Sequence, residues 1–186
     1  MLTKANKGFS LVELMVAVAI IAVLASIAIP EFRLMTQNAR IKTSAQSLLR
    51  GLQLARVEAI KRNLPVEFVL TDGAVDAASV DAVVASANGL NWMVRVQTAS
   101  GPEYVQGQAA NEASLASVEV AGVSAVTFNG FGATTLGAQA QFQITDTEAG
   151  ECAPNGPIRC VNVQVSPGGQ ARVCDPAAGD GDNRRC

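Results

Sequence analysis

The chain has 186 residues, of which 49% are hydrophobic and 16% charged, and its formal net charge is −2. A charge so close to zero predicts no general attraction of the protein to nucleic acid. The chain contains no histidine, which excludes Ser-His and Cys-His nucleophilic catalysis, so we expect no enzymatic activity and no catalytic residue.

The first predicted element is an apolar helix over residues 9–30, preceded by a basic leader, residues 1–8, with Lys4 and Lys7. About 21 residues at about 1.5 Å each give about 31 Å, the thickness of a bilayer's hydrocarbon core. Lysines before the span keep the N-terminus in the cytoplasm and place the rest of the chain outside it. The alternative is a secretory signal peptide cut near Ser26–Ala28, which leaves Glu13 unexplained.

Glu13 is the one acidic residue within this apolar segment. An ionised carboxylate inside a bilayer costs several kcal/mol unless a partner pairs with it. We therefore expect Glu13 to be a functional residue whose partner is an amine.

The run Lys7–Glu13, Lys-Gly-Phe-Ser-Leu-Val-Glu, resembles the class III signal of type IV pilins and pseudopilins. This resemblance implies that a prepilin peptidase cuts between Gly8 and Phe9, methylates the new amine and leaves the apolar helix in the mature chain. It also implies that Glu13 pairs with the Phe9 amine of a neighbouring subunit during assembly. A contact within one helix is the alternative, because the two residues are four apart.

The helix is predicted to continue through Pro30 over residues 31–63, because apolar residues recur at steps of three and four. They are Phe32, Met35, Ala39, Ala45, Leu48, Leu52, Ala55 and Ala59. Seven cations accompany only two glutamates in this half: Arg33, Arg40, Lys42, Arg50, Arg56, Lys61 and Arg62, against Glu31 and Glu58. We interpret the cations as a solvated helix face rather than a binding face for lipid, nucleic acid or an acidic neighbour.

Short strands are predicted in the remainder, residues 64–186, which we expect to form a β-rich head. The clearest are residues 66–71, 92–97, 125–129, 141–146 and 160–166, with a turn or bulge at 128–132 and loops at 73–91 and 99–117. The predicted fold class is α+β: a long N-terminal helix, membrane-spanning in its first half, packed on an antiparallel β-sheet or sandwich.

All four cysteines lie near the C-terminus, in a region that the predicted topology places outside the cytoplasm. Disulfides are expected in that compartment. Three connectivities are open, and proximity along the chain favours Cys152 with Cys160 and Cys174 with Cys186. A metal site is not expected, because there is no CxxC pair and no histidine, and no cofactor is predicted.

Two further stretches, Val165–Cys174 and the L-x-x-A-R-x-E-A pattern from Leu52, resemble the GspH/FimT group of minor pilins and pseudopilins. The resemblance implies a minor type IV pilin that primes or caps the pilus or, alternatively, a minor pseudopilin of a type II secretion system. It implies other pilin or pseudopilin subunits, a prepilin peptidase and an inner-membrane assembly platform as partners. The implied location is the inner membrane, single-pass with a periplasmic head, and then the pilus or pseudopilus.

Some members of this group bind DNA through a Gly-Arg-x-Arg motif near the C-terminus, which gives a second alternative function. The matching residues here are Gly169-Gln170-Ala171-Arg172, so one of the two cations is absent. Arg184 and Arg185 would compensate if a disulfide folded them back beside Arg172. Aspartates in the same tail would repel phosphate, so nucleic acid is the least favoured partner.

Overall fold

The computed structural model describes residues 10–110, 119–146 and 150–186. Within these residues, one long helix, α1, is followed by eight strands. The helix is Leu11–Arg62, and the strands are β1 (Val66–Thr71), β2 (Asn91–Thr98), β3 (Gly101–Gln108), β4 (Glu119–Gly122), β5 (Ala125–Phe128), β6 (Ala140–Thr145), β7 (Val161–Val165) and β8 (Ala171–Cys174). The predicted α+β class is confirmed.

The chain divides into two compact units, and the boundary between Thr36 and Gln37 lies inside α1. In the N-terminal unit, α1 is helical through Pro30 and is long and apolar enough to cross a membrane. Most of its large apolar side chains are exposed, including Leu11, Leu14, Ile20, Ile21, Leu24, Phe32 and Met35. Exposed apolar surface on this scale is unfavourable in water and suits an apolar surrounding.

In the C-terminal unit, one stripe of α1 is buried. Its members are Ile41, Ala45, Leu48, Leu52, Ala55 and Ala59, each no more than 3% exposed. The predicted stripe is therefore confirmed from Ala45 onward, whereas Phe32, Met35 and Ala39, expected in the same stripe, are exposed. The helix ends at Arg62, because Asn63 takes a positive φ of 50° and Pro65 follows it.

Two four-stranded antiparallel sheets pack with α1 around one core. The strand order is β3-β2-β1-β5 in the first sheet and β4-β6-β7-β8 in the second. Phe68 of β1 lies opposite Val94 and Val126 of its two neighbouring strands. The rings of Phe68 and Phe142 meet edge to face at 6.0 Å and join the two sheets.

The five predicted strands are all present, with ends that differ by one residue at most. The prediction of a loop over residues 99–117 was wrong, because β3 occupies Gly101–Gln108. This strand pairs with β2 alone at the edge of its sheet, and its side chains are partly exposed, so it lacks the alternating pattern that marks a half-buried strand. The rest of that predicted loop, residues 111–117, lies outside the described residues.

Two disulfides close the C-terminal region, Cys152–Cys160 and Cys174–Cys186. These are the pairings that proximity along the chain favours. The second joins the last residue of β8 to the last residue of the sequence, and the backbone N–H of Asp175 donates a 2.7 Å hydrogen bond to the Arg184 carbonyl. The tail after β8 is thereby held against that strand's end.

Candidate functional site

Two places in the structure carry residues that the sequence marks as functional: the start of α1 and a groove on the head. Gly8 and Phe9, the predicted cleavage and methylation residues, lie outside the described residues. Glu13, within the first turn of α1, is described.

Glu13 forms a reciprocal cap with Ser10 at the start of α1. Its backbone N–H donates to Ser10 Oγ at 3.2 Å, and its Oε2 lies 3.5 Å from the Ser10 backbone nitrogen. This arrangement is a capping box, and a carboxylate there also interacts favourably with the positive end of the helix dipole. The 3.5 Å contact is long for a hydrogen bond. Within the described residues no ion pair involves Glu13.

On the head, Arg56 connects α1 to the loop after β5. The guanidinium Nε of Arg56 donates to the Gly132 carbonyl at 3.1 Å. The same loop contacts the turn between β7 and β8, where the Thr134 N–H donates to the Pro167 carbonyl at 2.9 Å. Three segments singled out in the sequence, around Arg56, Gly132 and Pro167, therefore meet in one junction.

Gly169 is required at this junction for two reasons. Its φ of +79° is a left-handed conformation that other residues rarely adopt, and a Cβ added there would overlap the Gly132 carbonyl oxygen. The turn between β7 and β8 thus packs backbone to backbone against the loop that Arg56 binds. This close approach gives the glycine of the Gly169–Arg172 motif a packing role.

Beside this junction lies an open groove of about 550 Å³ between α1 and the second sheet. Its lining comprises Gln53, Arg56, Gln139, Gln164, Ser166, Gly169, Gln170, Ala171 and Arg172. This lining holds two arginines and four glutamine side chains, and none of its residues is acidic. A groove of this composition has a positive potential and many amide groups, and it is suited to an anionic group.

Arg172 is held at the groove by a glutamine pair on the sheet. Its Nε and Nη2 donate to Gln164 Oε1 at 3.3 and 3.0 Å, and Gln164 Nε2 donates to Gln141 Oε1 at 3.2 Å. Gln164 is 6% exposed, so its amide is buried and satisfied by these bonds. The arginine is therefore oriented by neutral partners and keeps its positive charge uncompensated within the described part of the chain.

The structure does not bring the other two predicted cations into this groove. Arg184 pairs with Asp182 at 2.7 Å, and Arg185 pairs with Asp180. The hydrogen bond from Arg184 lowers the pKa of Asp182 to about 2. Each of these arginines is thus matched by an acid of the same tail, whereas Arg172 is not.

A second charged cluster lies at the C-terminal end of α1. Glu58, 8% exposed, accepts hydrogen bonds from Lys61 Nζ at 3.1 Å and Arg62 Nε at 2.8 Å, and Arg62 also donates to Glu103 of β3 at 2.8 Å. Arg62 first and Lys61 second lower the pKa of Glu58. These bonds tie the helix end to the first sheet. The cluster is structural, since its charges satisfy one another.

Sequence reasoning placed Arg56 on a solvated face and did not assign a role to Gln164. The signal for Arg56 was its position in the A-R-x-E-A pattern, but its partner is a backbone carbonyl that no pattern specifies. For Gln164, no sequence signal was available beyond its place between two buried valines. Within the described residues no group of three or more Cys, Asp or Glu side chains is placed to hold a metal ion.

Two models of known protein families match this chain. The model of the type II transport protein GspH matches residues 44–169, and the prokaryotic N-terminal methylation motif matches residues 3–29. Two fimbrial proteins of Pseudomonas aeruginosa are each 47% identical over 57 residues, which is 31% of this chain. The chain thus spans only 36% of the length of these curated relatives.

Similar solved structures include the type IV minor pilin FimU of P. aeruginosa, at 16% identity and a TM-score of 0.49, with 75% of this chain and 91% of that chain covered. They also include the minor pseudopilin EpsH from the type 2 secretion system of Vibrio cholerae, at 16% identity and a TM-score of 0.48, with 75% and 99% covered.

Proposed function

Because the chain belongs to the family of the type II transport protein GspH, we propose that it is a minor type IV pilin, a structural subunit that primes or caps pilus assembly. The proposal rests on one observation: the chain combines an apolar helix that follows a methylation motif with a head that has its own core. A methylation motif leads into an apolar helix with exposed side chains, and that helix continues into a head with its own core. An assembly subunit needs both parts.

In this proposal, a prepilin peptidase cuts between Gly8 and Phe9 and methylates the Phe9 amine. The mature chain stays in the inner membrane through the first half of α1, with its head in the periplasm. The assembly platform then moves it among other pilin subunits into the filament. Glu13 pairs with the Phe9 amine of a neighbour, because a buried carboxylate and a buried ammonium each cost more alone than together.

A minor pseudopilin of a type II secretion system is the second candidate. The description of the matching family as a type II transport protein favours it, whereas the likeness to fimbrial proteins over 57 residues favours the pilus. Both machines would use the same leader, helix and head.

DNA binding during natural transformation is the third candidate. Arg172 supports it, because it faces an open groove beside a second arginine. The ion pairs of Arg184 and Arg185 weigh against it, since their charges are already matched by Asp182 and Asp180.

A clean deletion of this chain in its native host, scored side by side for surface pili and for secreted enzymes, tests the proposal. Loss of pili with intact secretion supports a minor pilin. Loss of secretion with intact pili supports the pseudopilin instead. If both are unchanged and DNA uptake falls, the third candidate replaces the first two.

A further inference from the structure

The groove beside Arg56 and Arg172 holds more positive charge than the described residues of the chain neutralise. Within the described residues, Arg56 donates to the Gly132 carbonyl and Arg172 to the Gln164 amide oxygen, and both acceptors are neutral. Other arginines of the head, Arg62, Arg95, Arg159, Arg184 and Arg185, lie within 4 Å of a carboxylate. Two arginines that share a groove without an acid are suited to receive one from another molecule.

An apolar rim adjoins this groove. Phe131 is 91% exposed, and Val57 and Ile60 of α1 are 57% and 50% exposed. The side chains of Ile60 and Arg56 both lie close to Gly132, whose carbonyl Arg56 binds, so Ile60 of the rim adjoins Arg56 of the groove. A large apolar side chain beside an unmatched charge is the composition of a protein docking site.

The loop that carries Phe131 is held in one conformation by its own hydrogen bonds. Asn129 Oδ1 accepts from the backbone N–H groups of Phe131 and Ala133 at 3.0 and 3.1 Å. The Asn129 N–H donates to the Ala133 carbonyl at 2.8 Å, and the Gly132 N–H donates to the Asn129 carbonyl at 2.8 Å. An aromatic side chain on a loop already fixed in this way loses little backbone entropy when it binds.

We propose that this surface, formed by Arg56, Arg172, Phe131, Val57 and Ile60, docks the head of another pilin-like subunit through an acidic side chain. The partner's carboxylate enters the groove between the two arginines, and Phe131 fills an apolar depression beside it. The inference rests on the proposed function, because it assumes that such subunits are the chain's neighbours. It adds which face of the head is used and the chemistry of the partner.

A carboxylate suits this surface better than a nucleic acid phosphate backbone. Two cations would release about two counterions from duplex DNA, which gives weak binding at physiological salt. The apolar rim would gain little against a phosphate backbone, whereas it would be buried against a protein. The tail after β8 carries acids as well as its two paired arginines, so it adds no net attraction for DNA.

The test places a photo-cross-linking phenylalanine analogue at position 131 of the full chain, expressed in its native host. The matched control carries the analogue at Val84, which is 76% exposed on the head but lines no part of the groove. We expect a cross-link from position 131 to another pilin-like subunit, with a yield at least about tenfold above that from position 84. Equal yields at the two positions would overturn the docking site.

Charge is tested in the same strain by Arg172→Glu, with Arg172→Lys as the control that keeps the positive charge. We expect Arg172→Glu to lower the cross-link yield about tenfold, since an ion pair becomes a repulsion, and Arg172→Lys to preserve most of it. An unchanged yield with Arg172→Glu would overturn the carboxylate pairing. Binding of the detergent-solubilised chain to a short DNA duplex that Arg172→Glu abolishes would assign the groove to phosphate instead.

Assembly phenotypes separate this inference from the function on which it rests. If deletion of the chain abolishes pili or secretion but the double variant Phe131→Ser/Arg172→Glu still assembles, and Arg172→Glu leaves the cross-link from the analogue at position 131 unchanged, the docking surface is wrong and the proposed function stands. If deletion changes neither pili nor secretion, the proposed function itself fails.

Discussion

The two halves of α1 have the same secondary structure but opposite surroundings. Between Leu11 and Thr36 most of the large apolar side chains are exposed, whereas between Gln37 and Arg62 a stripe of six residues is buried in the head. The C-terminal half obtains its apolar contacts from its own chain. The exposed apolar side chains of the N-terminal half are suited to contacts with lipid or with other chains.

Glu58 and Glu13, which lie in different halves of α1, also differ in their partners. Glu58 in the C-terminal half accepts hydrogen bonds from two cations of its own chain. Glu13 in the N-terminal half has hydrogen bonds only with Ser10 among the described residues. The carboxylate of Glu58 is paired within the chain, whereas we propose that the carboxylate of Glu13 pairs with another subunit.

The largest effect is predicted for Glu13→Ala. Because pairing of a charge within a membrane involves several kcal/mol, we expect incorporation of the chain into filaments to fall by more than about tenfold. Purified filaments probed for the chain measure this. The control Glu13→Asp keeps the charge and should retain more incorporation than the alanine variant. Wild-type incorporation of Glu13→Ala would show that this residue is not used in assembly.

A leucine pair tests whether the two halves of α1 really depend on different contacts. Leu52 is 0% exposed and Leu24 is 62% exposed. We expect Leu52→Ala to lower the free energy of unfolding of the head by about 2–5 kcal/mol and Leu24→Ala to change it by less than about 0.5 kcal/mol. The unfolding of the full chain in detergent can be followed by the fluorescence of Trp92, its one tryptophan. Equal losses of unfolding free energy in the two variants would show that the two halves of α1 do not depend on different contacts.

A smaller effect is predicted for Glu58, and it depends on pH. Because its pKa in the folded chain lies below the ordinary value of 4.5, its contribution to stability is present above that value and is lost as the pH falls through the folded pKa. We expect Glu58→Gln to cost about 1 kcal/mol near neutral pH. The difference from wild type should shrink below about pH 4.5. A loss of stability in Glu58→Gln that is independent of pH would mean that the negative charge of Glu58 does not contribute to stability.

The helix and the central strands were predictable because their signals are local. The burial of Leu52 and Ala55 follows from helical spacing, and strand β6 alternates buried Phe142 and Ile144 with exposed glutamines. Strand β3 was missed because it lies at the edge of its sheet, where its partly exposed side chains give no alternating pattern. Its Gly107 also packs closely against the Val75 carbonyl, which a Cβ would overlap, and the sequence does not show that contact.

The groove was only partly predictable for the same reason. Arg172 was identified from its motif, but its neighbour Arg56 lies far away along the chain and joins it only because α1 packs beside β7 and β8. The sequence shows that Arg184 and Arg185 are cationic, but their ion pairs with Asp182 and Asp180 depend on how the tail folds. Residue type was readable from the sequence, whereas the pairing of charges required the structure.

The most direct test of this account is the intact mass of the chain purified from the membranes of its native host. If the assembly helix is retained, we expect a mature chain that starts at Phe9, lacks residues 1–8 and carries one added methyl group. Both disulfides should remain in that mass. A mature chain that starts near Ala28 or Ile29, with the apolar half of α1 removed, would contradict the account, because the protein would then be a secreted head without an assembly helix.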